Sequence, residues 1–244
     1  MSKTSTGETQ DPAAVGWHSE VADEFDASYT KDRRFRERFS VWQAVIEQHC
    51  PAGGAALDLG CGSGELLFPL ALKSANVLGI DGSAEMLAIC ERKLREQDIQ
   101  NIRLAKADIN ELHAMDLGEL DIVVASSVLE YLSELESVID TVSRHLKPGG
   151  VFAFSLPNGS SLYRKAEPLL YRLFKRPAYY PYVVNVLTPR EIRTLIEQHG
   201  FSVTQMDLTS PTAGLSAILR PLGLAIWSDN LAVFTCRKAP VADT

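Results

Sequence analysis

The sequence predicts an α/β fold: a mostly parallel sheet with helices on both faces. Three observations predict it. Short apolar runs rich in Val, Ile, Leu and Ala recur along the chain, as strands buried on both sides do. Amphipathic stretches of helical period lie between them. The first apolar run ends in a glycine-rich turn, Gly60-Cys61-Gly62-Ser63-Gly64, that opens a helical stretch. Strands alternating with helices imply right-handed crossovers, which set successive strands parallel.

Residues 1–15 are polar, lack the apolar core of a signal peptide, and are expected to be a disordered tail. Residues 16–240 are read as a single domain, because the length does not require two. Within it, residues 16–50 form a helical cap, with Val21, Phe25 and Tyr29, then Phe35, Phe39, Trp42, Val45 and Ile46 spaced three to four apart. Pro51-Ala52-Gly53-Gly54 ends that pattern. Strands are expected at Ala55–Leu59, Asn76–Ile80, Ile102–Lys106, Leu120–Ser126 and Val151–Leu156. Helices are expected at Glu65–Lys73, Ala84–Gln97 and Leu135–Leu146. Ser83 is a cap for the second of these helices. Lys147-Pro148-Gly149-Gly150 reads as a sharp turn into the fifth strand. Thr188, Pro189 and Glu191 read as cap, first turn and capping box of a later helix ending at His199-Gly200. Phe201–Leu208 and Leu231–Arg237 are again strand-like.

Composition narrows the function. A net charge of −7 argues against a phosphate-backbone binder. The four cysteines form no C-x-x-C pair, no zinc spacing is present, and reduced thiols in a cytoplasmic protein are expected, with no metal. No run of about 18 apolar residues exists to span a membrane.

The glycine turn is the chemical centre of the chain. A dinucleotide fingerprint has G-x-G-x-x-G, its third glycine packing a helix on the strand below a pyrophosphate. Here the spacing is G-x-G-x-G, and an acid, Asp58, stands two residues before the first glycine. An acid there repels phosphate and suits an ammonium or sulfonium. Asp81 ends the second strand about 20 residues on, where a carboxylate can accept from both ribose hydroxyls. Asp108, after the third strand, can accept from an adenine amino group while Ile109 covers a ring face. Ser126 ends the fourth strand, on the side of the sheet where such sites converge.

Asp58-Leu59-Gly60-Cys61-Gly62-Ser63-Gly64, with these residues downstream in order, resembles the first motif of class I S-adenosylmethionine-dependent methyltransferases. The resemblance runs from about Ala55 to Arg237 and takes in the Lys147–Gly150 turn. It implies a Rossmann-like, seven-stranded sheet whose last strand is antiparallel, and a lid insertion after the fifth strand. It implies S-adenosylmethionine as cofactor, held by Asp58, Gly60, Cys61, Gly62, Asp81, Gly82, Met86, Asp108, Ile109 and Ser126. Related small-molecule enzymes hold the cofactor's carboxylate from N-terminal helices, which points to Arg36 and Tyr29, with Arg33, Arg34 and Arg38 competing for the role and a solvated basic helix as the other reading. Met86 would lie against adenine, with core filler as the other reading.

The resemblance leads one to expect a small-molecule acceptor, phenolic, quinone-like or lipidic, methylated on O or N. An RNA-modifying enzyme and a non-catalytic S-adenosylmethionine-binding subunit are the alternatives. Ubiquinone-pathway O-methyltransferases carry E-x-x-E-H after the fourth strand, where this chain has Ser127, Glu130 and Tyr131. That leaves Glu130 and Tyr131 as the candidate catalytic residues, without the histidine. Residues 157–187 and 209–228 are expected to shape the acceptor site. They read either as a lid or as a basic, amphipathic surface for peripheral membrane contact through 162–182 and 211–227, with Arg164, Lys165, Arg172, Lys175 and Arg176 in the first segment.

Overall fold

The structure is a computed structural model, and it describes residues 12–24, 26, 33–212 and 214–240. Helix α1, Pro12–Glu20, and helix α2, Arg33–His49, precede the sheet. The chain then alternates β1 Ala55–Leu59, α3 Leu67–Ala71, β2 Asn76–Asp81, α4 Ala84–Glu96, β3 Ile102–Lys106, β4 Leu120–Ala125, α5 Leu135–His145 and β5 Leu146–Pro157. Helix α6, Leu162–Phe174, follows β5. Helix α7, Pro189–Gln198, then leads into β6, Phe201–Pro211, and a short helix α8, Leu215–Leu219, precedes β7, Asp229–Lys238.

The seven strands form one sheet in the order β3-β2-β1-β4-β5-β7-β6. β1 to β5 pair in parallel, as crossover helices require. β7 is antiparallel to both of its neighbours, with Phe154 opposite Phe234 and Met206 opposite the same residue from the other side. The expected mostly parallel, seven-stranded sheet with an antiparallel last strand is therefore present.

Period-two alternation distributes the apolar side chains to two cores. Leu57, Leu59, Val123, Ala125, Phe152 and Phe154 pack on one face beneath α5 and α7. Ala56, Ile122, Val124, Val151 and Ala153 pack on the other with Trp42, Val45 and Ile46 of α2. Residues alternating along one strand point to opposite faces, so both faces must be covered.

Three elements differ from expectation. α1 begins at Pro12, inside the stretch expected to be a disordered tail; residues 1–11 of that stretch, with Phe25 and Tyr29, lie outside the described residues. α3 is five residues long, because Gly62 and Gly64 take positive φ (51° and 93°) and keep the chain in turns until Leu66. Lys147–Gly150 does not interrupt the chain before β5. The strand already starts at Leu146 and absorbs these residues in a register shift against β4 between Leu120 and Ile122.

Candidate active site

The strand order reverses between β1 and β4, and in an open sheet this opens a crevice at the carboxyl ends of the strands. A cavity of about 710 Å³ lies there, a volume usual for small-molecule sites. Its walls include Asp58, Gly60, Cys61, Gly62, Asp81, Gly82, Met86, Ile109 and Ser126, so nine of the expected cofactor residues meet in one place. Glu130 and Tyr131 line it as well.

The glycine turn is shaped by backbone. Gly60 has φ of +67°, and a Cβ added there would stand 2.6 Å from Val128 Cγ2, so only glycine fits both demands. Gly60 N–H and Cys61 N–H both donate to Ile80 O, at 2.8 and 3.0 Å. Asp81 then ties the turn to the end of β2: Oδ2 accepts from Gly62 N–H and Oδ1 from Ser83 N–H, each at 2.8 Å. A carboxylate oxygen can take more than one donor, so both oxygens keep capacity for a ligand. Burial raises the Asp81 pKa, and the N–H donors of Ser83 and Gly62 oppose the rise. Ser83 caps α4 by accepting from Met86 N–H at 3.1 Å, which holds Met86, 2% exposed, in the cavity wall.

Asp58 is 1% exposed, and its Oδ2 has no hydrogen-bond partner among the described residues. Burial, then the nearby Asp81 charge, pushes its pKa well above the carboxylate range. A buried carboxyl raised in this way and left unpaired is a natural partner for a cationic ligand. Asp108 does not line the cavity. It accepts from Asn110 N–H at 2.9 Å and caps the 3₁₀ turn Ile109–Ala114, which sets Ile109 in the wall.

Arg36 is exposed on α2 and does not line the cavity, whereas Arg38 does. Arg38 Nη1 donates to Ser127 Oγ at 3.2 Å. Ser127 stands just past β4 with φ of +56°, and its N–H donates to Ser155 Oγ at 2.8 Å. A left-handed serine fixed at both ends is a strained position of the kind that clusters at ligand sites.

Trp17 and His18 of α1 also reach the cavity. The His18 ring meets the Tyr131 ring edge-on at 4.9 Å, and Trp17 stacks on Tyr182 at 5.9 Å. His18 Nδ1 lies 2.8 Å from Ala14 O, and burial lowers its pKa, which favours a neutral ring.

The acceptor end is built from the two segments expected to shape it. Glu130 O accepts from Val184 N–H and Asn185 N–H at 2.8 and 3.0 Å. Asn185 Nδ2 donates to Leu129 O and Leu132 O. These bonds pin the insertion after β5 onto the turn that carries Glu130. Lys165 Nζ sits 4.9 Å over the Trp227 ring and joins α6 to the second segment. Arg220 in that segment pairs with buried Asp229 and with Glu37 of α2.

Glu130 is 5% exposed, and its Oε2 has no partner among the described residues. Burial raises its pKa to about 7, against the pull of its own backbone N–H, Arg164 and Arg38. Burial also pushes Tyr131 well above the usual phenol range, which keeps it a neutral hydroxyl. No cluster of three or more His, Cys, Asp or Glu that could hold a metal occurs among the described residues.

A glycine cradle, an unpaired buried acid below it, and a second acid at the end of β2 fit an adenosyl cofactor with a cationic methionyl tail. With this sheet order, they define the class: a class I S-adenosylmethionine-dependent methyltransferase. Residues 52–203, more than half of the chain, match the family described as a methyltransferase domain, and the chain belongs to that family. S-Adenosylmethionine is its cofactor.

The chain is 34% identical to a ubiquinone biosynthesis O-methyltransferase of Acinetobacter baumannii (strain ACICU), over 44% of this chain and 45% of that protein. It thus spans about half the length of such curated relatives. Magnesium protoporphyrin IX methyltransferase from Synechocystis PCC 6803, solved with bound S-adenosylhomocysteine, superposes with a TM-score of 0.70 at 17% identity, covering 95% of this chain and 100% of that one. The [4+2]-cyclase SpnF superposes with a TM-score of 0.71 at 15% identity, covering 99% and 100%. At such identities the likeness is one of fold.

Trp17 and His18 are cavity residues that the sequence pattern did not single out for the cofactor, and Arg38 stood there only as a competitor of Arg36. The four arginines at 33, 34, 36 and 38 offer no local signal of which one turns inward.

Proposed function

We propose that the protein transfers a methyl group to an O or N atom of a small molecule bound in this cavity, with Glu130 as the proton acceptor. One observation carries the reading: a buried carboxyl in the cavity wall, with an unpaired oxygen and a pKa moved to about 7. A general base is most effective when its pKa lies near working pH. Tyr131 beside it stays protonated and can donate to the acceptor.

In this reading Asp81 accepts from the ribose hydroxyls, Met86 and Ile109 cover the adenine, and Asp58 faces the cationic methionyl end, while Asp108, outside the cavity wall, acts by capping the turn that carries Ile109. Arg38 takes the cofactor's carboxylate, a role first expected of Arg36. Bound there, S-adenosylmethionine supplies an electrophilic methyl whose leaving thioether needs no proton. The protein's own work is to align the acceptor and remove its proton, and alignment alone can supply much of the acceleration. The relative named as an O-methyltransferase makes hydroxyl acceptors the first to test.

Incubation with methyl-labelled S-adenosylmethionine, a panel of phenols, hydroxy acids and amines, and a structured RNA is expected to label the small-molecule fraction. Label only in RNA, or in nothing, would contradict the reading. With the best acceptor, kcat/KM should rise through one ionisation near pH 7, because Glu130 is inactive while it holds its proton. A pH-independent rate between pH 5 and 9 would remove Glu130 as the base.

We further propose peripheral lipid contact beside the cavity mouth. Leu169, Leu173 and Phe174 on or next to α6, with Ile218 and Leu222, are exposed, and Lys175 and Arg176 flank them. Apolar side chains with basic neighbours suit an anionic membrane surface. Arg164 and Arg220 do not belong to this surface, since both are paired inward. The protein should sediment with vesicles containing anionic lipid, and less so after neutralisation of Arg172, Lys175 and Arg176. Equal sedimentation of both proteins would contradict the contact.

A further inference from the structure

Arg164 was counted among the basic residues of a surface, yet its side chain is only 10% exposed. It lines the same cavity as Glu130. Its guanidinium is fixed on two sides. Nε donates to Asn230 O at 3.2 Å, and Nη1 donates to both oxygens of Glu167 at 3.0 Å and to Tyr179 Oη at 3.3 Å. Tyr179 Oη in turn donates to Glu167 Oε1 at 2.9 Å, and the guanidinium lies 5.6 Å from the Tyr179 ring centroid. Glu167 is itself 3% exposed on that side chain, so the assembly is internal rather than a solvated pair.

A structural ion pair would be complete at this point. Arg164 is not, because Nη2 donates to no partner among the described residues, and the residue lines the cavity. A guanidinium is always charged, planar and costly to bury, and with Nε and Nη1 engaged its Nη2 still carries N–H donors for a charge-assisted hydrogen bond to a carboxylate. The Glu167 and Tyr179 bonds remove the rotational freedom that such a long side chain would otherwise lose on binding. Tyr163, next to it in sequence, lines this cavity and also a neighbouring groove with Leu170, Phe174 and Pro177.

We infer that Arg164 is a specificity-determining residue that docks a carboxylate carried by the methyl acceptor. This rests on the reading of the cavity as the site of methyl transfer, and it adds the acceptor's chemical class. The acceptor is an acid whose carboxylate lies on Arg164 and whose nucleophilic atom is thereby directed to the Glu130 side of the cavity.

The test is calorimetry on protein saturated with S-adenosylhomocysteine, with three matched probes: 3,4-dihydroxybenzoate, 3,4-dihydroxybenzamide and catechol. The acid should bind at least about tenfold tighter than either neutral probe, the size of one charge-assisted hydrogen bond. In the double variant Arg164→Gln/Glu167→Gln, which leaves no buried carboxylate alone, that preference should fall below about threefold while S-adenosylhomocysteine affinity is unchanged. Arg164→Lys keeps the charge but loses the planar fork, and should also lose most of the preference; it decides the matter if the double variant does not fold. Equal binding of acid and amide, no binding of the acid, or a preference that survives substitution would overturn the inference. A failure of this kind leaves the pH dependence assigned to Glu130 in place, so the two readings fail separately.

Discussion

Glu130→Gln is expected to lower kcat by about 10²- to 10³-fold while S-adenosylmethionine affinity stays within a factor of two. Gln has nearly the shape of Glu and occupies the same pocket, but it cannot accept a proton at any pH. The loss should therefore appear in kcat, because proton removal belongs to the transition state and not to cofactor binding. The pH profile distinguishes this from a packing effect. The wild-type rate falls as pH drops through about 7, where burial has placed the Glu130 carboxyl. The variant should show no such limb, and its residual rate should rise with pH only for acceptors acidic enough to ionise unaided. A variant with full kcat, or one that keeps the limb near pH 7, would show that the base lies elsewhere. Steady-state kinetics from pH 5 to 9, together with cofactor titration, reads all of these.

The second large effect is on binding. Asp81→Ala should weaken S-adenosylmethionine by more than about tenfold, since hydrogen bonds to a charged acceptor are worth roughly 1.5–3 kcal/mol each. Part of the loss comes from the protein itself. Asp81 holds Gly62 N–H and Ser83 N–H, so its removal releases both the glycine turn and the start of α4. Asp81→Asn separates the two contributions. The amide oxygen keeps one of these backbone bonds, and the charge that strengthens the ribose contact is gone. Asn should recover the fold better than the affinity, whereas equal affinities for wild type and Asn would mean that the carboxylate does not meet the ribose. Equilibrium dialysis and a thermal melt on the same samples check both.

Much of the cofactor end was legible because its residues are near in sequence and tied to backbone geometry. Asp58, Gly60 and Gly62 must sit at the end of β1, and Asp81 at the end of β2, once the strands are placed. Strands β1, β2 and β4 could be placed because strands inside the sheet are short, largely apolar runs, whereas the edge strand β3 is mixed, with Arg103 and Lys106 exposed. β5 was less clear, since the residues Lys147–Gly150 have turn composition yet join the strand through a register shift. Position on a helix was harder still. Arg36 and Arg38 are two residues apart, which turns them about 200° around the axis, so one faces the cavity and the other solvent. A helix with several arginines does not declare its phase from local pattern.

The acceptor end was the least legible, for a physical reason. Arg164, Glu167 and Tyr179 meet through the fold of an insertion with no repeating pattern, and only the i,i+3 spacing of Arg164 and Glu167 hints at a pair. Read along the chain, five basic residues among aromatics resemble a surface. In space, one of them is internal and bonded on two sides. Trp17 and His18 were passed over because the helical pattern of the cap shows in the sequence only from Val21 onward.

The central claim is that the cavity above Gly60 and Asp81 binds S-adenosylmethionine. Isothermal titration of the wild-type protein with S-adenosylmethionine and, separately, with NAD tests it most directly. S-Adenosylmethionine should saturate one site per chain, with NAD giving no heat of binding at the same concentrations. Tight binding of NAD with none of S-adenosylmethionine would contradict the account.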